Sequence, residues 1–138
     1  MSKENVEIVR RSYELLNEGG PEAVITAGHW SPEIVFDLSP SEIPGLGVYR
    51  GHDEIRAFFA ADWFGAFPFE EWEIVVDELV DNGDQVITRQ HQRGRGATSG
   101  ASAQLESGTI FTVHDGKIVR VEIYGDPDKA LEAAGLSE

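Results

Sequence analysis

The run PEIVFDLSP, residues 32–40, sets one carboxylate, Asp37, among Ile34, Val35, Phe36 and Leu38. A strand packed on a core has no ordinary use for that group. Period-two alternation puts Ile34, Phe36 and Leu38 on one face and Val35 with Asp37 on the other. A β-bulge would reverse this and bring Asp37 to the wall of a cavity, where a carboxylate can act as a general base. Arg89 and His91 share one face of a later strand, and Arg120, Glu122 and Tyr124 share one face of the last. They make either an Arg-His-Glu cluster inside the fold or part of an outer sheet face at a dimer interface. The histidines, His29, His52, His91 and His114, show no HxH or HExxH spacing, so no metal site is expected. No serine sits on a nucleophile elbow. The stretch GRGATSGAS lacks the Lys-Ser/Thr ending of a phosphate loop and reads as a hairpin tip. No cofactor is implied.

These residues must be positioned by the elements around them. Val6, Val9, Tyr13 and Leu16 recur at helical spacing, which predicts a helix over 3–18 with Ser2 as its N-cap. Gly19-Gly20 ends it, and Pro21 opens a second, shorter helix to about Gly28. A strand follows near 33–38, then a turn-rich loop, SPSEIPGLG. A third helix is predicted from His52 to about Phe64, carrying Ile55, Phe58, Phe59 and Trp63. Residues 71–80, 85–93, 104–113 and 117–124 are rich in Val, Ile, Thr and aromatics and read as strands, with Asn82-Gly83 and Asp115-Gly116 as hairpin turns. Asp126-Pro127 caps a last helix that stops at Gly135. The order is α-α-β-α-β-β-β-β-α, an α+β arrangement with an antiparallel sheet curved around helices.

A chain of 138 residues is one domain, 1–138, with room for a single core. A formal charge of −14 with no basic cluster argues against nucleic acid and anionic membranes as partners. The N-terminal stretch MSKENVEIV has no hydrophobic signal region, and no run approaches the ~20 apolar residues of a membrane span. With no cysteine there is no disulfide and no thiol nucleophile. A cytoplasmic protein is the expectation. Trp30, Phe36, Phe59, Trp63, Trp72 and Phe111 suffice to wall a cavity for a ring-shaped molecule.

The pieces "VRRSYELLNEGGPEAV", "GVYRGHDEIRAFF", "FTVHDGKIVRVEIY" and "DPDKALEAAGL", in this order, make the chain resemble the nuclear-transport-factor-2-like superfamily, and within it the SnoaL-like group. The resemblance implies a cone whose sheet and helices enclose one deep apolar pocket, often dimeric through the outer sheet face. Its members include ketosteroid isomerase, limonene-epoxide hydrolase, polyketide cyclases and proteins that only bind or scaffold. Likeness to the isomerase would make Asp37 the base and Tyr13 the oxyanion hydrogen-bond donor. Its third, acidic group falls near Thr109, which cannot act as an acid. Counting from "SPEIV" puts Leu38 at the base position instead. Alignment with the hydrolase through "NGD" turns Thr88, Gln90 and Gln92 inward, and likewise Val121 and Ile123. The implied pocket is lined by Trp30, Phe36, Leu38, Phe59, Trp63, Gln90, Phe111 and Ile123. The resemblance implies cofactor-free isomerase, cyclase or hydrolase chemistry on a small hydrophobic molecule, or a non-catalytic binding or scaffold role with the same pocket.

Overall fold

The computed structural model describes residues 2–64, 71–95 and 100–136. Helix α1 (Ser2–Ala27) takes in both helices expected from sequence. They meet at Gly20, whose φ of 72° and ψ of −164° are open only to glycine, and Pro21 restarts the helix beyond it. The cap expected at Ser2 rests on a side chain outside those described. Val9, Tyr13 and Leu16 are buried, as their spacing demands.

Strand β1 (Trp30–Asp37) is followed by a 3-10 turn, Ser39–Ser41, and a three-residue strand β2 (Val48–Arg50). The turn-rich reading of 39–47 left β2 unseen. Helix α2 (Gly51–Ala57) then opens into a π-helical turn, Phe58–Trp63, so the predicted third helix changes pitch halfway. Four long strands complete the sheet: β3 (Trp72–Asn82), β4 (Gln85–Arg95), β5 (Ser102–His114) and β6 (Lys117–Tyr124). Of the hairpin tip joining β4 to β5, residues 96–99 lie outside the described residues. Helix α3 (Pro127–Ala133) begins where the Asp126 side chain accepts a hydrogen bond from the Asp128 amide.

The six strands form one sheet in the order β2-β1-β6-β5-β4-β3. Neighbours are antiparallel except β1 and β6, which run parallel. That pair joins strands far apart in sequence, so no hairpin constrains its direction. Register shifts interrupt β1/β6 between Trp30 and Val35, β3/β4 between Val76 and Glu78, and β5/β6 between Thr112 and Val113. Each such irregularity bends and twists its strand, which is how an open sheet becomes a curved one. The fold is thus the α+β curved-sheet arrangement.

Helix α1 packs against β3, β4 and β6 on the inner side, while α2 packs on β1. Asn17 ties the first of these contacts. Its amide nitrogen donates to the Ile74 carbonyl at 2.8 Å and its oxygen accepts from the Ile74 amide at 2.9 Å. The side chain thereby supplies β3, an edge strand, with the partner a neighbouring strand would give, and it holds Tyr13 one turn away over the sheet. The outer face has a smaller core of its own, where Ala130 of α3 packs on Ile87 and Ile110.

Candidate functional site

Along β1 the alternation holds from Ile34 onward. Ile34, Phe36 and Leu38 are buried in the main core, and the register shift lies before Val35, so it does not turn Asp37 inward. Asp37 stands across the parallel ladder from Glu122. Its carboxylate accepts from the Ser39 amide at 2.9 Å and from the Arg120 guanidinium at 3.3 Å. It is not among the residues that line the cavity. In this arrangement Asp37 is a turn-capping, charge-paired residue of the outer face, without reach to the site that Tyr13 lines.

The second set behaves alike. Arg89 pairs with Asp128 at 2.7 Å, which fixes it on the side of the sheet covered by α3, and His91 Nδ1 meets Asp77 at 2.8 Å. Arg120 also reaches Glu122, at 3.6 Å. Arg89 and His91 thus find separate acidic partners, and Arg89, His91, Arg120 and Glu122 are not among the residues that line the cavity.

The inward face carries a cavity of about 130 Å³. An apolar cavity of about 150 Å³ holds a benzene molecule. Phe36 is the hub of the aromatic wall, with ring centroids 5.8 Å from Trp30 and 5.9 Å from Phe59. Tyr13 meets Phe111 edge-on at 5.6 Å. Leu38, Trp63, Gln90 and Ile123 also line the space, as do Trp72, Ile74, Val121 and, from α1, Ser12 and Leu16. Leu105 and Glu106, both exposed, mark its open end.

The polar groups of this wall are connected. Thr88 Oγ1 donates its one hydrogen to Gln90 Oε1 at 2.6 Å. The 2.9 Å contact between Tyr13 and Thr88 must therefore be donated by the phenol. Gln90 Nε2 donates to Thr109 at 2.6 Å and to Ser107 at 2.9 Å. Tyr13, Thr88, Gln90 and Thr109 thus form a chain in which each donates to the next. Burial pushes the Tyr13 phenol well above its ordinary range, against the smaller opposing pull of Thr88 and Thr109. The phenol stays protonated, but its hydrogen is engaged by Thr88 rather than free for an oxyanion. Gln90, whose amide is fully used, holds the network together.

A second amide is fixed nearer the mouth. Gln92 Oε1 accepts from both indoles, Trp63 at 3.0 Å and Trp72 at 2.8 Å. Indoles only donate, so the amide orientation is determined. Ser107 belongs to the site although sequence reading passed it over. It shares a strand face with Thr109 and Phe111, and that alternation was the signal available. Ser12 follows from Leu16 by helical spacing in the same way.

Among the lining residues the ionisable side chains are Tyr13 and Glu106. Glu106 is exposed, stands across the β4/β5 ladder from His91 and contributes to the field at Arg89. Among the described residues no group of three or more His, Asp or Glu side chains is placed to hold a metal ion. No helix there is long and apolar enough to cross a membrane.

The fold recurs in solved structures. An NTF2-like protein from Burkholderia pseudomallei superposes with a TM-score of 0.73 at 22% identity, over 94% of this chain and 95% of that one. A putative SnoaL-like polyketide cyclase from Jannaschia gives 0.72 at 21% identity, over 89% and 85%. TerC, co-crystallised with polyporic acid, gives 0.74 at 20% identity, over 96% and 98%. No curated protein matches the sequence. The family model of the SnoaL-like domain matches residues 9–121, and the chain belongs to that family.

Proposed function

We propose that this protein binds a small, uncharged, ring-bearing organic molecule in the cavity between α1 and the inner sheet face. The observation that carries the reading is the character of the wall. Aromatic and aliphatic side chains surround a space of single-ring size, and inside the exposed Glu106 its polar side chains are neutral, with Thr88, Gln90 and Thr109 hydrogen-bonded to one another. Ligand sites are of this kind, mostly apolar with a few fixed polar groups. TerC, of the same fold, was co-crystallised with polyporic acid, which supports a small organic ligand here. Binding is preferred to turnover because general acid–base catalysis needs a base within reach of the substrate. The carboxylate read from sequence as that base, Asp37, is engaged by Arg120 and Ser39. We further propose that the protein acts as a homodimer through the outer sheet face, where Arg89, His91, Glu122 and Tyr124 stand.

Ligand that binds only the folded state raises its thermal midpoint. A panel of uncharged one- and two-ring ketones, esters and phenols should contain compounds that raise it. Ile123→Trp, which fills the cavity from a half-buried position, should remove the rise. No shift across the panel, or an equal shift in the filled variant, would count against binding at this site.

A further inference from the structure

Within the wall, one donor stands apart. The Trp30 side chain is 2% exposed and lines the cavity, yet its indole N–H has no hydrogen-bond partner. Native proteins rarely leave a buried donor unmet, because it loses its water without gaining a replacement. The other indoles of the wall are satisfied by Gln92. The hydroxyls of Ser12 and Ser41 donate to helix and turn carbonyls, that of Tyr13 to Thr88, and that of Thr88 to Gln90.

Water is a poor answer to the orphan donor. A buried water needs two to four polar partners. Trp30 packs on Phe36 inside the apolar cluster, and its N–H has no hydrogen-bond partner among the described residues. The strand register also sets Trp30 far from the mouth. It pairs with Ile118, and Ile118 with Val113, whereas the open end is at Leu105, opposite Gln92.

We infer that the ligand is a neutral cyclic carbonyl compound whose oxygen accepts the hydrogen bond of the buried Trp30 indole. This rests on the binding reading above and narrows it. An indole only donates, so the ligand must bring an acceptor. A carbonyl does so without adding a hydrogen that would need its own acceptor, as a hydroxyl would. A carboxylate would enter without a counter-charge, since no Lys, Arg or His is among the lining residues. Trp30 is then a specificity-determining residue: it discriminates against the same ring without an oxygen.

The test compares cyclohexanone with methylenecyclohexane, which replaces C=O by C=CH₂ on the same ring, by NMR titration of the native protein and Trp30→Phe. Trp30→Phe should weaken cyclohexanone roughly three- to tenfold, the range of one neutral hydrogen bond, and leave methylenecyclohexane within about twofold. In native protein, should the variant not fold, the Trp30 indole ¹⁵N–¹H resonance should shift with the ketone and barely with the hydrocarbon. Equal weakening of both probes, or a Trp30 resonance indifferent to the ketone, overturns the inference while the cavity remains a binding site. If neither probe binds native protein, the binding reading falls too.

Discussion

The hydrogen-bonded chain of Tyr13, Thr88, Gln90 and Thr109 ties α1 to the middle of the sheet with neutral groups, so its worth is that of buried hydrogen bonds acting together. Gln90→Leu removes the hub and leaves three hydroxyls to find new partners. It should destabilise by about 1–3 kcal/mol, read by urea unfolding; an unchanged midpoint would deny the network a structural role. His29 gives a pH signature. Burial lowers its pKa first, and the charges of Arg11 and Lys117 lower it further. The folded state therefore binds protons less readily than the unfolded chain. The resulting stability is complete above about 6.5 and is lost as pH falls through the lowered folded value. His29→Gln should lose less stability than native protein between pH 7.5 and 5.5; parallel losses would sink the idea. At this scale the sequence was readable where alternation governs. Phe36 and Leu38 line the cavity from the one face on which period two groups them, and Gln90 and Ile123 from the faces that the resemblance implied. Whether Asp37 sat beyond a bulge depended on an irregularity in cross-strand pairing, which a single chain does not display. Nor does residue type alone reveal that Tyr13 gives its hydrogen to Thr88.

Among the elements, the Asn17 clamp and the seat of α3 fix the geometry. Asn17→Ala would strip the Ile74 amide and carbonyl of their partners at an edge strand, at a cost of about 1–3 kcal/mol. Helix α3 comes so close to β5 that a Cβ at Gly108 would lie 2.8 Å from Pro127 Cα and 3.0 Å from Ala130 Cβ. Both neighbours are stiff, so Gly108→Ala should lower stability by about 1–3 kcal/mol, seen in thermal melts; a neutral result would mean that α3 docks loosely. The long strands were legible because β-branched and aromatic residues fill them between good turns. Strand β2 was not, since three residues in a turn-rich stretch carry no periodicity. The π-turn at Phe58–Trp63 also left no trace, because Phe58, Phe59 and Trp63 fit an α-helical stripe as well.

For the whole molecule, a charge of −14 on 138 residues means that the native state repels itself. Raising salt from about 20 to 300 mM should raise the thermal midpoint, since the Debye length falls well below the molecular radius. A falling midpoint would show that ion pairs such as Arg89–Asp128 outweigh the repulsion. The proposed dimer predicts twice the monomer mass by light scattering at micromolar concentration, and a monomer would remove it. Fold class was the most legible feature of all, because element order and hydrophobic spacing survive when site residues change. The occupant of the cavity leaves no such pattern, since apolar walls that pack a core and walls that hold a ring use the same residues. The most direct test of that occupancy is a crystal structure of the protein grown with excess cyclohexanone. The account predicts ring-shaped density enclosed by Tyr13, Trp30, Phe36, Phe59 and Phe111. An empty cavity at saturating ligand, or density confined to the molecular surface, would contradict it.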